Sequence, residues 1–420
     1  MTDDDRQELS REDKYRLRAA VLLTFTPGKP VSNLDLLAGR EKQISKVLEA
    51  VLSPGQHAAI YGERGVGKSS LANLIYDMVS ATGKNVFIPV QINCSTMVSF
   101  NEIWREIFKQ IQLHTSSGEA TLDEQVPDTP NSEDIRHIFT QVGSPTIVVM
   151  DEFDRVDDLV SVAMSDTIKT LSDRGTDTTL VLVGVADSVE QLIAEHQSVD
   201  RALLQIPMPR MSRDELIAIV TKGMTRLPEL SIEPGLDRRI AEISKGLPHF
   251  THLLAKHAAL SAIDEGRRMI TQKDYESALK SATEDKSQSL GQAYLKATHS
   301  AKESIFEQVL LACALATDER GIFGAKHVRK HLAQIMKKPI KMEAYIRHLD
   351  KFSRPERGPV LKKEGQKRKF QYSFVEPMMQ PYVLMKGLTE GKITEEQLSV
   401  LSSPSTLSER PSERLLFEGR

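Results

Sequence analysis

The sequence predicts an α/β fold: a mostly parallel sheet covered by helices, then an all-helical segment and a small C-terminal unit of helices with one hairpin. Three observations carry this. From Gly39 to about Pro209, short β-branched runs alternate with helical patterns. A glycine-rich octet, Gly62-Glu63-Arg64-Gly65-Val66-Gly67-Lys68-Ser69, joins the first such run to a helix. A continuous apolar run, Thr146-Ile147-Val148-Val149-Met150, ends in Asp151 and Glu152, as suits a strand buried on both faces.

Residues 1–34 read as an N-terminal extension with one helical stretch, Arg11–Thr24, and a turn at Thr26-Pro27-Gly28-Lys29-Pro30. In the sheet domain, 35–210, strands are expected at His57–Tyr61, Val86–Ile92, Thr146–Met150, Thr179–Val185 and Leu203–Ile206. Helices are expected at Lys68–Val79, Phe100–Leu113, Ile135–Val142, Asp157–Asp173 and Val189–Glu195. Thr115–Glu133, rich in Ser, Thr, Asp, Glu and Pro, reads as a solvated loop. Residues 211–288 are helical throughout: Arg213–Arg226, Gly235–Lys245, His249–Asp264 and Gln272–Ala282, with polar Ser287–His299 as a link. Residues 289–390 hold three short helices, Ala301–Ala316, Ala325–Met336 and Lys341–Phe352. Val360–Lys363 and Phe370–Phe374 follow as a hairpin around Glu364-Gly365-Gln366. The polar, Ser/Pro-rich tail, 391–420, is expected to be loosely held.

At 420 residues the chain exceeds what one hydrophobic core serves. Its 40% hydrophobic and 27% charged residues fit a globular cytoplasmic protein. No apolar run nears the ~20 residues that span a bilayer, and the acidic start has no apolar region behind it, so neither membrane nor secretion is expected. Cys94 and Cys313 lie in apolar segments and are too few for a disulfide framework or zinc site. The net charge of −3 hides an asymmetry. Phe323–Phe370 carries ten Lys and five Arg against three Glu and one Asp, a net +11, leaving −14 elsewhere. Such a block points to a polyanionic partner.

The octet matches the pattern G-x-x-x-x-G-K-[ST]. Its glycines let backbone N–H groups turn inward around phosphate oxygens, where side chains would block approach. The helix that follows offers its positive N-terminal end to the anion. Ala58-Ala59-Ile60-Tyr61 before it and Leu71, Ala72, Leu74 and Ile75 after it supply the strand and the helix. Gly62, Glu63, Arg64, Gly65, Val66, Gly67, Lys68, Ser69 and Ser70 therefore form the expected phosphate cradle. Lys68 would reach the β- and γ-phosphates, and the Ser69 hydroxyl would ligate Mg²⁺. A carboxylate at the carboxyl end of a buried parallel strand faces the ligand crevice. Asp151 would hold the magnesium through its water shell and Glu152 would orient the attacking water. The expected reaction is ATP plus water to ADP and phosphate, slow or stimulated by a partner.

On these residues the chain resembles the AAA+ ATPases, and within them the bacterial and archaeal relatives of the origin-recognition initiators. The resemblance covers about Thr26 to Val383. Its further carriers are Leu37-Ala38-Gly39-Arg40-Glu41, Leu180–Val185 with Ala186-Asp187-Ser188, Val199-Asp200-Arg201, and Gly246-Leu247-Pro248. It implies a P-loop NTPase parallel sheet of the AAA+ type, a helical lid and a C-terminal winged-helix domain. It also implies that Gly39 and Arg40 line the adenine side. The family's first sensor, usually Asn or Thr, falls here on Asp187 or Ser188. Where the second sensor is usually Arg, this chain has Pro248-His249. Gly-Leu-Pro there resembles the signalling STAND ATPases, whose proline-bearing turn meets the nucleotide; His249 reads equally as a phosphate contact or a polar residue at a helix start. Arg201 sits where family members place a finger for a neighbouring subunit's ATP, which would make a nucleotide-dependent homo-oligomer; it also reads as a surface Arg paired with Glu195 or Asp200.

Three helices and a hairpin suggest a winged helix. In Lys341–Phe352 the apolar Met342, Tyr345, Ile346 and Leu349 share one face, leaving Lys341, Arg347, His348 and Lys351 to meet a groove. Arg354, Arg357, Lys362, Lys363, Lys367, Arg368 and Lys369 surround the hairpin, where phosphates would lie. Phe370, Tyr372 and Phe374 alternate as packing residues. The leading partner is double-stranded DNA. The alternative is a STAND-like signalling or defence ATPase acting through a protein partner or effector.

Overall fold

The computed structural model describes residues 9–30, 34–83, 87–94, 99–115, 118–193, 199–285, 289–300, 304–366 and 369–401. Five parallel strands form the central sheet: β1 (His57–Gly62), β2 (Ile88–Asn93), β3 (Thr146–Asp151), β4 (Thr178–Val185) and β5 (Leu203–Pro207). Their spatial order is β2-β3-β4-β1-β5. Parallel register is set by pairs such as Ala58↔Val181 and Val148↔Leu180. The three central strands are buried along most of their length, which is why they read as unbroken apolar runs rather than alternating ones. β1 and β3 flank β4, so their carboxyl ends open on the same edge about 10 Å apart, two strand spacings.

Helices cover the sheet and are begun by side-chain caps. Ser99 accepts from the Glu102 N–H, Asn131 and Asp134 form a reciprocal capping box, and Asp157 accepts from the Val160 N–H. On one side Trp104, Phe108 and Phe139 pack ring against ring, with Phe108 and Phe139 centroids 4.8 Å apart. The stretch expected as a solvated loop is partly structured. Gln112–Thr115 pairs with Gly118–Thr121, and beyond them Leu122 and Val126 are buried in the core. These two apolar residues, four apart in a polar stretch, tie it down. The expected helix Lys68–Val79 is interrupted at Leu74 into Lys68–Asn73 and Ile75–Ser80.

The chain divides into two units, one made mainly of Met1–Ala282 and the other mainly of the chain from Thr283 on. Within the first, the segment after the sheet supplies helices Arg213–Thr225, Leu236–Ser244, Pro248–Asp264 and Gln272–Asp285. The N-terminal helix Arg11–Thr24 forms with the expected bounds and packs into the first unit. It buries Leu17 and Val21, and the Phe25 ring follows so closely that a Cβ on Gly223 would lie 2.3 Å from it. Arg267 and Asp274 lock the end of this helical segment, the fully buried carboxylate also accepting from Ser261 and Thr271.

In the second unit, helices Phe306–Ala316, Ala325–Ile335 and Glu343–Phe352 are joined by an antiparallel sheet. Ile322–Gly324 and Leu361–Glu364 pair on either side of Gln371–Phe374. Phe323 stacks on Tyr372, and Tyr372 and Phe374 are buried as packing residues, whereas Phe370 lies just before the strand, half-buried beneath the Lys363 ammonium. His348 departs from expectation: it packs edge-on against Phe306, 4.6 Å between centroids, instead of facing outward. Part of the supposed loose tail is held too, since Ile393 and Leu398 are buried. Val86, Glu195, Lys367, Arg368 and the tail beyond 401 lie outside the described residues. Both cysteines are buried free thiols. No described helix is long and apolar enough to cross a membrane.

Candidate functional site

The loop after β1 is shaped by its glycines. Gly62, Gly65 and Gly67 all take positive φ (154°, 85° and 98°), conformations that side chains resist. Gly62 is required for a second reason: a Cβ there would stand 2.4 Å from the Met208 carbonyl oxygen. Lys68 is buried, and its Nζ donates to the Gly62 and Glu63 carbonyls at 3.0 and 2.8 Å. Burial pushes its pKa down to about 8, against the opposing pull of Asp154, Asp151 and Glu63. The acids on the adjoining strand end therefore share a field with this lysine.

The loop is anchored from below by Arg40. Its side chain is buried, and Nη2 donates to the Val66 carbonyl at 2.8 Å. Burial lowers its pKa and Glu215 opposes that effect. A trans peptide is planar, with C=O and N–H pointing oppositely. Fixing the Val66 carbonyl on Arg40 therefore aims the Gly67 N–H away from Arg40. Arg40 adopts left-handed backbone (φ 69°), its N–H donates to Glu215 Oε1 at 3.0 Å, and Gly39 leaves no room for a Cβ beside Glu215.

β3 ends at Asp151, and Glu152 turns the chain sharply with φ 55°, a left-handed conformation costing roughly 1–2 kcal/mol for a residue with a Cβ. The Glu152 N–H donates back to Asp151 Oδ1 at 2.9 Å. Asp154, three residues past Asp151, was not singled out by the sequence. Its Oδ1 accepts from the N–H of Val185, the last residue of β4, at 2.8 Å. Gly184 makes this approach possible, since a Cβ there would lie 2.8 Å from that oxygen. The buried Cys94, just past β2, has its thiol pKa raised to about 12 by burial and then by Asp151, Asp154 and Glu152.

A buried ion pair ties the loop to the chain that leads from the sheet into the helical segment. Arg210 Nε donates to Glu63 Oε2 at 2.8 Å, with the Arg210 side chain 5% exposed. The Gly246 Cβ position would be 2.6 Å from Arg210 Cβ, and Met211 N–H donates to the Gly246 carbonyl. The Gly246-Leu247-Pro248 turn is thereby set beside the loop, with Pro248 Cγ 3.8 Å from where a Gly67 Cβ would be. Next to it, His249 Nδ1 is within hydrogen-bond distance of the Pro27 carbonyl. Arg64 is exposed and Ser69 and Ser70 are half-buried at the helix start. Asp187 is exposed just past β4, its N–H donating to Gln191 Oε1 at 3.0 Å. Arg201 stands apart: its side chain is 79% exposed and pairs with Asp173 at 2.7 Å.

A parallel sheet with a glycine cradle after β1, a buried lysine in it and acids after β3 defines a P-loop NTPase. The chain belongs to the Novel STAND NTPase 1 family, whose model matches residues 31–352. Among solved structures it is similar to the Aeropyrum pernix ORC1 protein in complex with DNA, at 14% identity over 89% of this chain and 97% of that one, with a TM-score of 0.49. CDC6P from Pyrobaculum aerophilum matches at 14% identity over 88% and 98%, TM-score 0.47. A subunit of Drosophila ORC bound to DNA matches at 15% over 91% and 95%, TM-score 0.45. No curated protein matches the chain significantly.

Proposed function

We propose that the protein binds and hydrolyses ATP, slowly or under a partner's control, and works as a nucleotide-driven switch whose basic C-terminal unit contacts duplex DNA. One observation carries the ATPase reading: Lys68 is held in a glycine cradle and shares its surroundings with Asp151 and Asp154. In this reading the backbone N–H groups of 62–70 surround the phosphates and Lys68 leaves its two carbonyls for phosphate oxygens. Ser69 and Asp151 offer the hard oxygen donors that magnesium takes. That ion, when bound, would neutralise charge developing on the phosphate oxygens. Glu152 orients the attacking water, and Pro248 closes the lid turn over the loop. Asp187 faces the γ-phosphate end of β4, and Arg201 serves a neighbouring subunit's nucleotide in an ATP-dependent oligomer. Light scattering with a non-hydrolysable ATP analogue tests that assembly; a monomer in every nucleotide state counts against it.

Three helices and a three-stranded antiparallel sheet in this order support a winged helix in the second unit. A second reading, signalling through a protein partner or effector, is favoured by the family match and by the Pro248 turn. Retention on duplex DNA, against retention only by a protein partner, separates the two.

The ATPase reading is tested with Lys68→Ala and Glu152→Gln in the intact chain. Lys68→Ala should weaken ATP binding by tenfold or more, whereas Glu152→Gln should hold ATP without turning it over. Unchanged turnover in Glu152→Gln removes its assigned role. Failure of the wild type to bind any adenine nucleotide with magnesium present removes the reading.

A further inference from the structure

Counted along the chain, positive charge in the C-terminal unit is shared between its helices and its hairpin. In the fold the hairpin side uses much of it internally. Lys363 is paired with Asp350 and Lys362 with Glu364, both at 2.6 Å. Arg357 donates to the Ala297 and His299 carbonyls, and its guanidinium carbon lies 3.5 Å from the Phe306 ring centroid. Lys351 approaches the same ring at 5.7 Å. Arg357 and Lys363 are thereby committed to contacts within the unit, whereas the exposed Lys362–Glu364 pair adds little to stability.

The stretch Ala325–Met342 differs. It contains Lys326, Arg329, Lys330, Lys337, Lys338 and Lys341 and no acid. All six are exposed, and none takes part in the ion pairs just described. Helix Ala325–Ile335 buries Val328, His331 and Leu332. At 3.6 residues per turn, Lys326 and Lys330 project directly opposite that stripe, with Arg329 on its flank. One such i, i+4 step rises about 6 Å, close to the ~7 Å of duplex axis separating alternate phosphates of one strand. Lys337, in left-handed backbone (φ 51°), ends the helix and leads to Lys338 and Lys341. No Phe, Tyr or Trp occurs in Ala325–Met342, so the surface offers charge without a platform for stacking unpaired bases.

We propose that duplex DNA is held along helix Ala325–Ile335 and the turn through Lys341, as a phosphate-tracking surface, and not by the hairpin. This rests on the DNA-binding reading above. Contacts of this kind position a duplex without reading its sequence, so affinity should depend steeply on salt and little on base composition.

The test uses the intact protein with ATP analogue and a short fluorescein-labelled duplex, measuring anisotropy over a salt series. Lys326→Ala/Lys330→Ala/Lys337→Ala is compared with Lys362→Ala/Lys363→Ala/Lys369→Ala. Each lost phosphate contact flattens the slope of log K against log salt by about 0.9, so the helix variant should lose up to about 2.7 and bind at least tenfold more weakly near physiological salt. The hairpin variant should keep the wild-type slope. A helix variant with the wild-type slope, or a hairpin variant with the flattened one, overturns the proposal while leaving DNA binding intact. Wild type that binds no duplex at low salt overturns DNA binding and this surface together. Binding single-stranded DNA as tightly as duplex also refutes it. Thermal melts should coincide for wild type and helix variant, because the altered side chains are exposed.

Discussion

Replacing Arg40 tests the most specific feature of the nucleotide loop. Its guanidinium donates to the Val66 carbonyl from a buried position, so Arg40→Ala removes a charge-assisted hydrogen bond and leaves that carbonyl unanchored. Such a bond is worth about 1.5–3 kcal/mol. If the loss falls on ordering the loop for phosphate, nucleotide affinity should drop roughly 10- to 150-fold, one decade per 1.4 kcal/mol. Arg40→Lys retains one donor and should recover part of the affinity.

The assay is competition for a fluorescent nucleotide, run with ATP and separately with inorganic triphosphate. Arg40 acting through the loop weakens both ligands equally. Arg40 lining the adenine, as the AAA+ resemblance implies, weakens ATP and spares triphosphate. Trp104, the only tryptophan and a buried one, reports whether the first unit still unfolds cooperatively. Affinity for both ligands within twofold of wild type, alongside lowered stability, would show that Arg40 is only a packing residue and refute the anchoring argument.

Two further outcomes follow from the same geometry. Asp154→Ala removes the acceptor of the exposed Val185 N–H and should cost about 0.5–1.5 kcal/mol in Trp104-monitored urea unfolding, while Asp154→Asn keeps an acceptor oxygen and should recover most of it; equal losses would discount the bond. His57 and His252 are held neutral, each pKa lowered to about 4 by burial, and His57 Nδ1 accepts the Leu180 N–H at 3.0 Å. Their unfolded forms gain protons near pH 6.5, so stability is fully present above that pH and falls as pH drops toward 4. The loss from pH 7.5 to 5.5 should be about 1.3 kcal/mol per histidine. His57→Gln should remove one such share; an unchanged pH dependence would contradict its buried neutral state.

What could be read in the sequence was what short-range chemistry encodes. The Gly62–Ser69 pattern, the apolar run into Asp151 and the alternation of strand and helix each lie within a dozen residues, and each imposes its own local geometry. The partners that give the site its shape do not. Arg40 meets Val66 across 26 positions, Asp154 meets Val185 across 31, and Glu63 meets Arg210 across 147. No periodicity announces such pairs, because they depend on which strand ends the sheet order brings together. Polar stretches misled for a related reason: between Thr115 and Glu133 two buried side chains, Leu122 and Val126, outweigh the composition around them.

Charge shows the same limit most sharply. A net +11 over Phe323–Phe370 counts every cation alike, but a cation is available to a partner only if the fold has not already satisfied it. Arg357 is held by two carbonyls and a ring, and Lys363 by a carboxylate. Moving either to DNA would break contacts that already stabilise the unit, so part of the gained attraction would be cancelled. Lys326 and Lys330 carry no such debt: they stand opposite their helix's buried stripe and lose only solvation and side-chain freedom on meeting phosphate. A surface for a polyanion is therefore decided by which charges the tertiary structure leaves uncommitted, and among the described residues the helix Ala325–Ile335 and the turn beyond it carry six exposed cations with no acid between them.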